Sequence, residues 1–455
     1  MLQKTCASLL TAVLVAAALL AATSAPAQGP TDPANLVYPE GTRFPLGLYS
    51  IGNSEALAEA AEAGWTLGHT YGFKPDYLDL TKQAGWLALA HLTGKTKVEV
   101  SPEKPATTAD AAKTDPQAGK AQAANAEEAG DTGEKAKLED RPQTEEEAGA
   151  TIAALAAYDN LAWWDFPEEL RYWYENEYDL VKNLSAWTRQ HDPRQRPNYM
   201  YQPGHSSAER VAKYVPYLDI IGAGTYTEYT HQPRAWVRWR TEECIKGIAL
   251  AGCEIGPDYK NGQKTPIGIP MLFYDKRDIF DVITPAEAHH DFWSCLASGA
   301  KGILVFSYWH KRDLAILQKT WEHGYKRAAA NLMSDGKLDQ AILFGEDVAL
   351  QVEITKGSPR TVAFRPYGVE EDISYPSVNV LAKAYEGTLY VIAVSSQERP
   401  VTATISGLPA GLGELEVLFE DRPEAQGGNK VAVTDGAVED SFGWLGVHVY
   451  RAAMP

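Results

Sequence analysis

Phe44-Pro45-Leu46-Gly47-Leu48-Tyr49-Ser50-Ile51, followed at once by Gly52-Asn53-Ser54, is the stretch whose reading decides the fold. Its first eight residues form a short apolar run of strand character. Ser54 is a good helix N-cap and opens a segment of helical period reaching residue 63. A strand handed straight to a helix is one β/α unit. In an open, doubly wound sheet the first such turn would be a glycine-rich phosphate cradle, and Tyr49-Ser50-Ile51-Gly52-Asn53 is not one. Working outward, apolar runs of the same kind recur at 66–71, 86–92, 160–166, 197–202, 218–226, 269–274 and 302–309, separated by longer helix-like segments. Eight parallel strands are the number at which such a sheet closes on itself and loses both edges. The expected architecture is α/β: a (β/α)8 TIM barrel over residues 41–335.

Beyond residue 335 the period changes to two. Short runs rich in Val, Ile, Leu and Tyr alternate with Gly/Pro turns, which predicts an all-β sandwich over 336–455. Ahead of the barrel, Lys4, an apolar run over 9–22 and Ala25-Pro26-Ala27 have the layout of a secretory signal peptide cleaved after residue 27. The run is shorter than the roughly 20 residues that span a bilayer. The expected location is therefore secreted or periplasmic. The formal charge of -18 disfavours nucleic acid and anionic membrane as partners. Of the four cysteines, Cys6 leaves with the signal, and Cys244, Cys253 and Cys295 are expected as buried thiols because no spacing among them suggests zinc or redox chemistry.

Two local expectations concern the third and fourth units. Residues 95–143 lack any aromatic side chain and are predicted to be a disordered insertion after the third strand. After the fourth strand, Pro167 is predicted to open a long helix with Glu168 and Glu169 in its first turn. Leu170, Trp173, Tyr174, Val181, Leu184 and Trp187 would then share one face.

Barrel enzymes work at the carboxyl ends of their strands. Here those ends carry Tyr49, His69, Tyr71, His91, Trp164, Asp165, Glu168, Glu169, Tyr201, Gln202, His205, Tyr226, Glu228, Tyr274, Asp275, Tyr308, Trp309 and His310. Aromatic rings with hydrogen-bonding groups between them suit a sugar, whose C–H faces stack while its hydroxyls need directional partners. Glycosidic hydrolysis requires two carboxyl groups in different protonation states. Glu168 is the candidate acid, with Asp275 or Glu228 as the opposing carboxylate, while Tyr49, His69, His91, Trp164, Asp165, Glu169, Tyr201, His205, Tyr226, Tyr274, Tyr308 and Trp309 are candidates for binding substrate.

The runs Trp163-Trp164-Asp165-Phe166-Pro167-Glu168-Glu169 and Phe306-Ser307-Tyr308-Trp309 resemble the clan of retaining (β/α)8 glycoside hydrolases. The resemblance implies an acid/base glutamate after strand four, mapped onto Glu168, and a sugar-stacking tryptophan after strand eight, mapped onto Trp309. Two positions depart from the clan pattern: Pro167 stands where Asn is usual, and strand seven ends in Phe273-Tyr274-Asp275 without a glutamate. A shorter Asp widens the gap between carboxyls and tends towards inversion, which needs about 6.5–9.5 Å for a water. No cofactor or metal is expected on this reading. Two alternatives stay open: a non-catalytic carbohydrate-binding barrel, which the missing strand-seven glutamate would suit, and a metal-dependent barrel hydrolase using His69, His91, His205 or His310.

Overall fold

The computed structural model describes residues 44–71, 75–100, 137–277, 281–366, 368–423 and 428–455. The predicted signal peptide and most of the predicted insertion lie outside these residues. Eight parallel strands close into a barrel: β1 (Leu46–Tyr49), β2 (Leu67–His69), β3 (Leu87–His91), β4 (Leu161–Asp165), β5 (Asn198–Gln202), β6 (Ile220–Thr225), β7 (Thr265–Pro270) and β8 (Ile303–Val305). Closure is made by β1 on β8, with Leu46 opposite Ile303. The seventh strand thus starts and ends a few residues earlier than the apolar run at 269–274 suggested, because Thr265-Pro266-Ile267 pairs with β6 from Ile220 onwards.

Alternation along the strands sorts side chains between two layers. Tyr49, Leu89, Trp163, Tyr199, Tyr201, Ile267, Ile269 and Leu304 fill the barrel. Met200, Trp164, Phe166 and Ile221 face the helices. Glycines in β6 make room for the large inward rings. A Cβ on Gly222 would lie 2.8 Å from the Tyr199 hydroxyl, and one on Gly224 would lie 2.4 Å from that of Tyr201.

The first β/α turn is capped one residue earlier than Ser54: the Asn53 side chain accepts from the Ala56 N–H at 2.8 Å. Two expectations about the middle units are corrected. The ends of the presumed disordered insertion, Lys95–Val100 and Lys137–Pro142, pair as an antiparallel hairpin, with Lys95 opposite Pro142. Averaged composition hid the alternation of Thr96, Val98 and Val100, which suits a ribbon. The helix after β4 is Glu175–His191, so residues 166–174 form a loop in which Glu169 takes a left-handed conformation, φ 57°. Trp173 and Tyr174, predicted on the helix's apolar face, lie exposed on that loop.

The antiparallel strands after residue 345 form a six-stranded and a three-stranded sheet with a shared apolar core. The outer face of the larger sheet, through Tyr390, Ile392, Val394 and Val449, packs on Phe292, Trp293 and Leu296 of the helix Pro285–Ala297. Cys244, Cys253 and Cys295 are free thiols, two buried and Cys253 partly so. Among the described residues no helix is long and apolar enough to cross a membrane.

Candidate active site

Neighbouring strands β2, β3 and β4 end in His69, His91 and Asp165, with His91 directly opposite Asp165 in the ladder. Asp165 is fully buried, and one of its oxygens, Oδ2, accepts from both rings: His69 Nε2 at 2.8 Å and His91 Nδ1 at 2.5 Å. Burial works to neutralise this carboxyl, but the two imidazoles prevail and hold it below the usual carboxylate range. The same interaction divides the histidines. Burial wins at His69 and lowers its pKa; at His91 burial is outweighed by the charges of Asp165 and Glu168, which raise it.

Three residues on, the loop turns Glu168 back over this group. Tyr71, beyond the end of β2, donates its hydroxyl to both carboxyl oxygens of Glu168, at 3.1 and 3.2 Å. Burial and the adjacent Asp165 charge lift the Glu168 pKa to about 8, against the opposing influence of His91 and Tyr71. The two acids of the β4 end therefore sit in opposite protonation states at neutral pH. Environments that push a carboxyl pair apart in this way mark acid and base roles.

An aromatic wall surrounds the pair. Tyr49 shares a 2.5 Å hydroxyl contact with Tyr199, Tyr201 stacks on Tyr226 at 5.8 Å, and Phe306 contacts the rings of Tyr49, Tyr226 and Phe273 at 5.4, 5.7 and 5.6 Å. Tyr71, Tyr199, Phe273 and Phe306 were absent from the substrate-binding candidates. Tyr199 and Phe306 follow from strand parity with Tyr201 and Leu304, a signal present in the sequence, whereas Tyr71 and Phe273 lie beyond the ends of β2 and β7, where alternation does not place a side chain.

Other candidates lie elsewhere. Trp164 points into the helix layer, where its indole donates to Asp192 at 2.9 Å. Tyr308 packs edge-on against Trp321 and donates to Glu59 at 2.7 Å, in the layer outside β1 and β8. Glu228 is buried on Arg234, with Thr227 donating to it at 2.7 Å; Arg234 also holds Asp291 at 2.6 Å and Glu287 at 3.2 Å. Asp275 is paired with Arg277, which holds its pKa at about 2. Tyr274 packs partly buried at the core edge, and His310 faces Asp313 at 2.6 Å. Trp309 is 52% exposed with the Arg312 guanidinium 3.2 Å over its ring. Glu169 is exposed, and His205 accepts from Arg210 at 3.0 Å.

His69, His91 and Asp165 also form a three-donor set whose ligand atoms lie within 4.8 Å of one another. The donor types suit zinc or a similar divalent ion. As arranged, both rings converge on a single carboxylate oxygen at hydrogen-bond distance.

No protein-family model matches the chain, and no curated protein matches it. Solved structures do. A noncanonic maltogenic alpha-amylase from Thermotoga neapolitana aligns over 91% of this chain and 99% of its own, with TM-score 0.50 and 9% identity. An alpha-amylase from H. orenii aligns over 90% and 99% (TM-score 0.49, 10% identity), and a β-L-arabinopyranosidase from Geobacillus stearothermophilus over 93% and 98% (0.48, 10%). At this identity the likeness is one of fold: the chain shares the barrel and trailing β domain of the Thermotoga neapolitana structure.

Proposed function

We propose that the protein is an exported glycoside hydrolase acting on a poly- or oligosaccharide, with Glu168 as general acid. The observation that carries this reading is the Glu168 carboxyl, held by Tyr71 in the aromatic mouth beside the buried anion of Asp165. A protonated carboxyl next to a sugar-sized aromatic wall can deliver a proton to a leaving glycosidic oxygen. Glu228 and Asp275 each spend their charge on an arginine, so the activation of water falls to His91, backed by Asp165. Asp165 fixes the ring by accepting from Nδ1 and stabilises the imidazolium formed when the other nitrogen takes a proton. Tyr226, with Tyr201, Phe273 and Phe306 against it, supplies stacking surface.

The test is hydrolysis of a panel of polysaccharides and aryl glycosides by wild type and Glu168→Gln. Loss of about 10²–10⁴-fold in turnover with ligand binding retained supports the assignment. Unchanged turnover removes Glu168 from the chemistry, and no turnover by wild type on any glycan favours the binding-only alternative.

One observation favours a second reading, a metal-dependent hydrolase: the convergence of His69, His91 and Asp165. Elemental analysis of the purified protein decides between them. Stoichiometric zinc, manganese or iron that is lost in His69→Ala would put the metal first.

A further inference from the structure

Among the described residues four arginines are buried: Arg196, Arg210, Arg234 and Arg240. Arginine stays charged inside a protein, and an unpaired buried charge is costly, so each needs an anion. Arg196 has Asp192 at 2.7 Å, and Arg234 has Glu228, Glu287 and Asp291. Arg210 and Arg240 make no ion pair with any described residue, although acids outnumber bases 60 to 42 in the chain.

These two guanidiniums belong to one cluster. Arg240, 0% exposed on the helix Ala235–Leu250, reaches the Gln202 carbonyl at the end of β5 at 3.4 Å. Arg210, 8% exposed, donates to His205 at 3.0 Å and to the Leu170 carbonyl at 3.3 Å, and lies 5.0 Å from the Trp173 ring. Arg210 lowers the Arg240 pKa and both cations lower that of His205, so like charges meet within a desolvated space. Glu243 and Glu169 act on Arg240 and Arg210 only at a distance, without an ion pair: Glu243 is occupied by the Ala208 N–H and Lys246, each at 2.9 Å, and Glu169 is exposed.

Around this charge the hydrogen-bonding groups are also left open. Arg240 Nε and Nη1, Arg210 Nε, both amide atoms of Gln202 and Ser206 Oγ are buried without a partner among the described residues. Buried water could fill donors and acceptors, but it brings no charge to offset two like cations. An oxyanion does both, accepting several N–H and O–H donors while neutralising the pair. Tyr201 joins the cluster to the mouth: its ring stacks on Tyr226 at 5.8 Å, and its phenol feels Arg240 as well as Glu168 and Glu169. His205 and the edge of Arg210 form its solvent-facing side.

We propose that Arg210, Arg240, Gln202 and Ser206 form a subsite for an anionic substituent of the saccharide, a uronic carboxylate or a sulfate ester. This rests on the glycoside hydrolase reading for the word saccharide, while the anion site itself does not. The protein is then selective for acidic glycans despite its own net negative charge.

Calorimetric titration at fixed ionic strength in sodium chloride tests it, using the full chain, with inorganic sulfate, glucuronate, glucose 6-sulfate and glucose as probes. The expected result is saturable 1:1 binding of glucuronate or glucose 6-sulfate at least tenfold tighter than glucose, weakened tenfold or more in Arg210→Met, whose side chain lies at the edge of the cluster and whose fold is checked by circular dichroism. Arg240→Met should act in the same direction, and Arg210→Met carries the test alone if Arg240→Met does not fold. Binding of inorganic sulfate with neither charged sugar bound overturns the saccharide assignment, and binding of no anion overturns the site. Because turnover is not read, failure of the hydrolase reading would appear in the glycan panel and leave these titrations unaffected.

Discussion

Glu168 and Asp165 lie three positions apart in sequence, one a neutral carboxyl and the other an anion at neutral pH. The cause is local: Asp165 receives two imidazole donors, while Glu168 has one phenol and a buried anion beside it. Removing the Tyr71 hydroxyl removes an interaction that lowers the Glu168 pKa, so Tyr71→Phe should move the alkaline limb of kcat/KM to higher pH, read from a pH–rate profile. Stability responds as well. Because folding raises this pKa from near 4.5 to about 8, the contribution of Glu168 is favourable below the lower value and is lost as pH rises through the upper one. Glu168→Gln should therefore raise Tm more at pH 9 than at pH 5 by thermal denaturation; an equal change at both would mean that Glu168 titrates normally. The acids and histidines at strand ends could be named from sequence because a barrel's active end is fixed by chain direction. Their pairing could not, since it depends on the β3–β4 register and on the loop after β4.

At the scale of elements, strand parity explains both successes and misses. In β4 a register shift against β3 between Leu161 and Trp163 breaks the alternation: Ala162 and Trp163 fall in the barrel, Leu161 and Trp164 in the helix layer, so period two alone could not set Trp164 aside. Tyr308 was harder. The 3-10 turn Tyr308–Arg312 ends the alternation just past β8 and carries the ring out to Glu59. The helix after β4 was misplaced because Pro167, Glu168 and Glu169 are good first-turn residues, while the left-handed φ at Glu169 delays helix formation until Glu175. Where β6 meets the site, Gly224 lets the Tyr201 ring cross the strand. Gly224→Ala should cost about 1–3 kcal/mol by denaturant unfolding and disturb the Tyr201–Tyr226 stack. Arg234→Met should be worse, about 3–5 kcal/mol, because it strands Glu228, Glu287 and Asp291 without their cation.

Across the whole molecule, closure of the barrel was legible in the count of strand runs, and the β domain in the change of period. Their union was not, because it depends on which sheet face meets which helix. The helix Pro285–Ala297 presents Phe292 and Trp293 to the large sheet, with Trp293 stacked on Phe419 at 6.2 Å. Ending the chain before Glu346 would uncover that apolar surface, and the truncated protein should be recovered as aggregate, whereas a soluble monomer with an intact melting transition would show that the barrel is independent of the sheet. The fold brings Tyr71 from beyond β2, His91 from β3 and Glu168 from beyond β4 to one corner of the barrel mouth. There the proposed role of Glu168 is that of a protonated general acid. The pH dependence of kcat/KM on whichever glycan the protein cleaves fastest tests it most directly: activity should fall with an alkaline midpoint near 8, a limb missing from the residual rate of Glu168→Gln. A profile still flat at pH 9.5, or an alkaline limb that persists in Glu168→Gln, would contradict it.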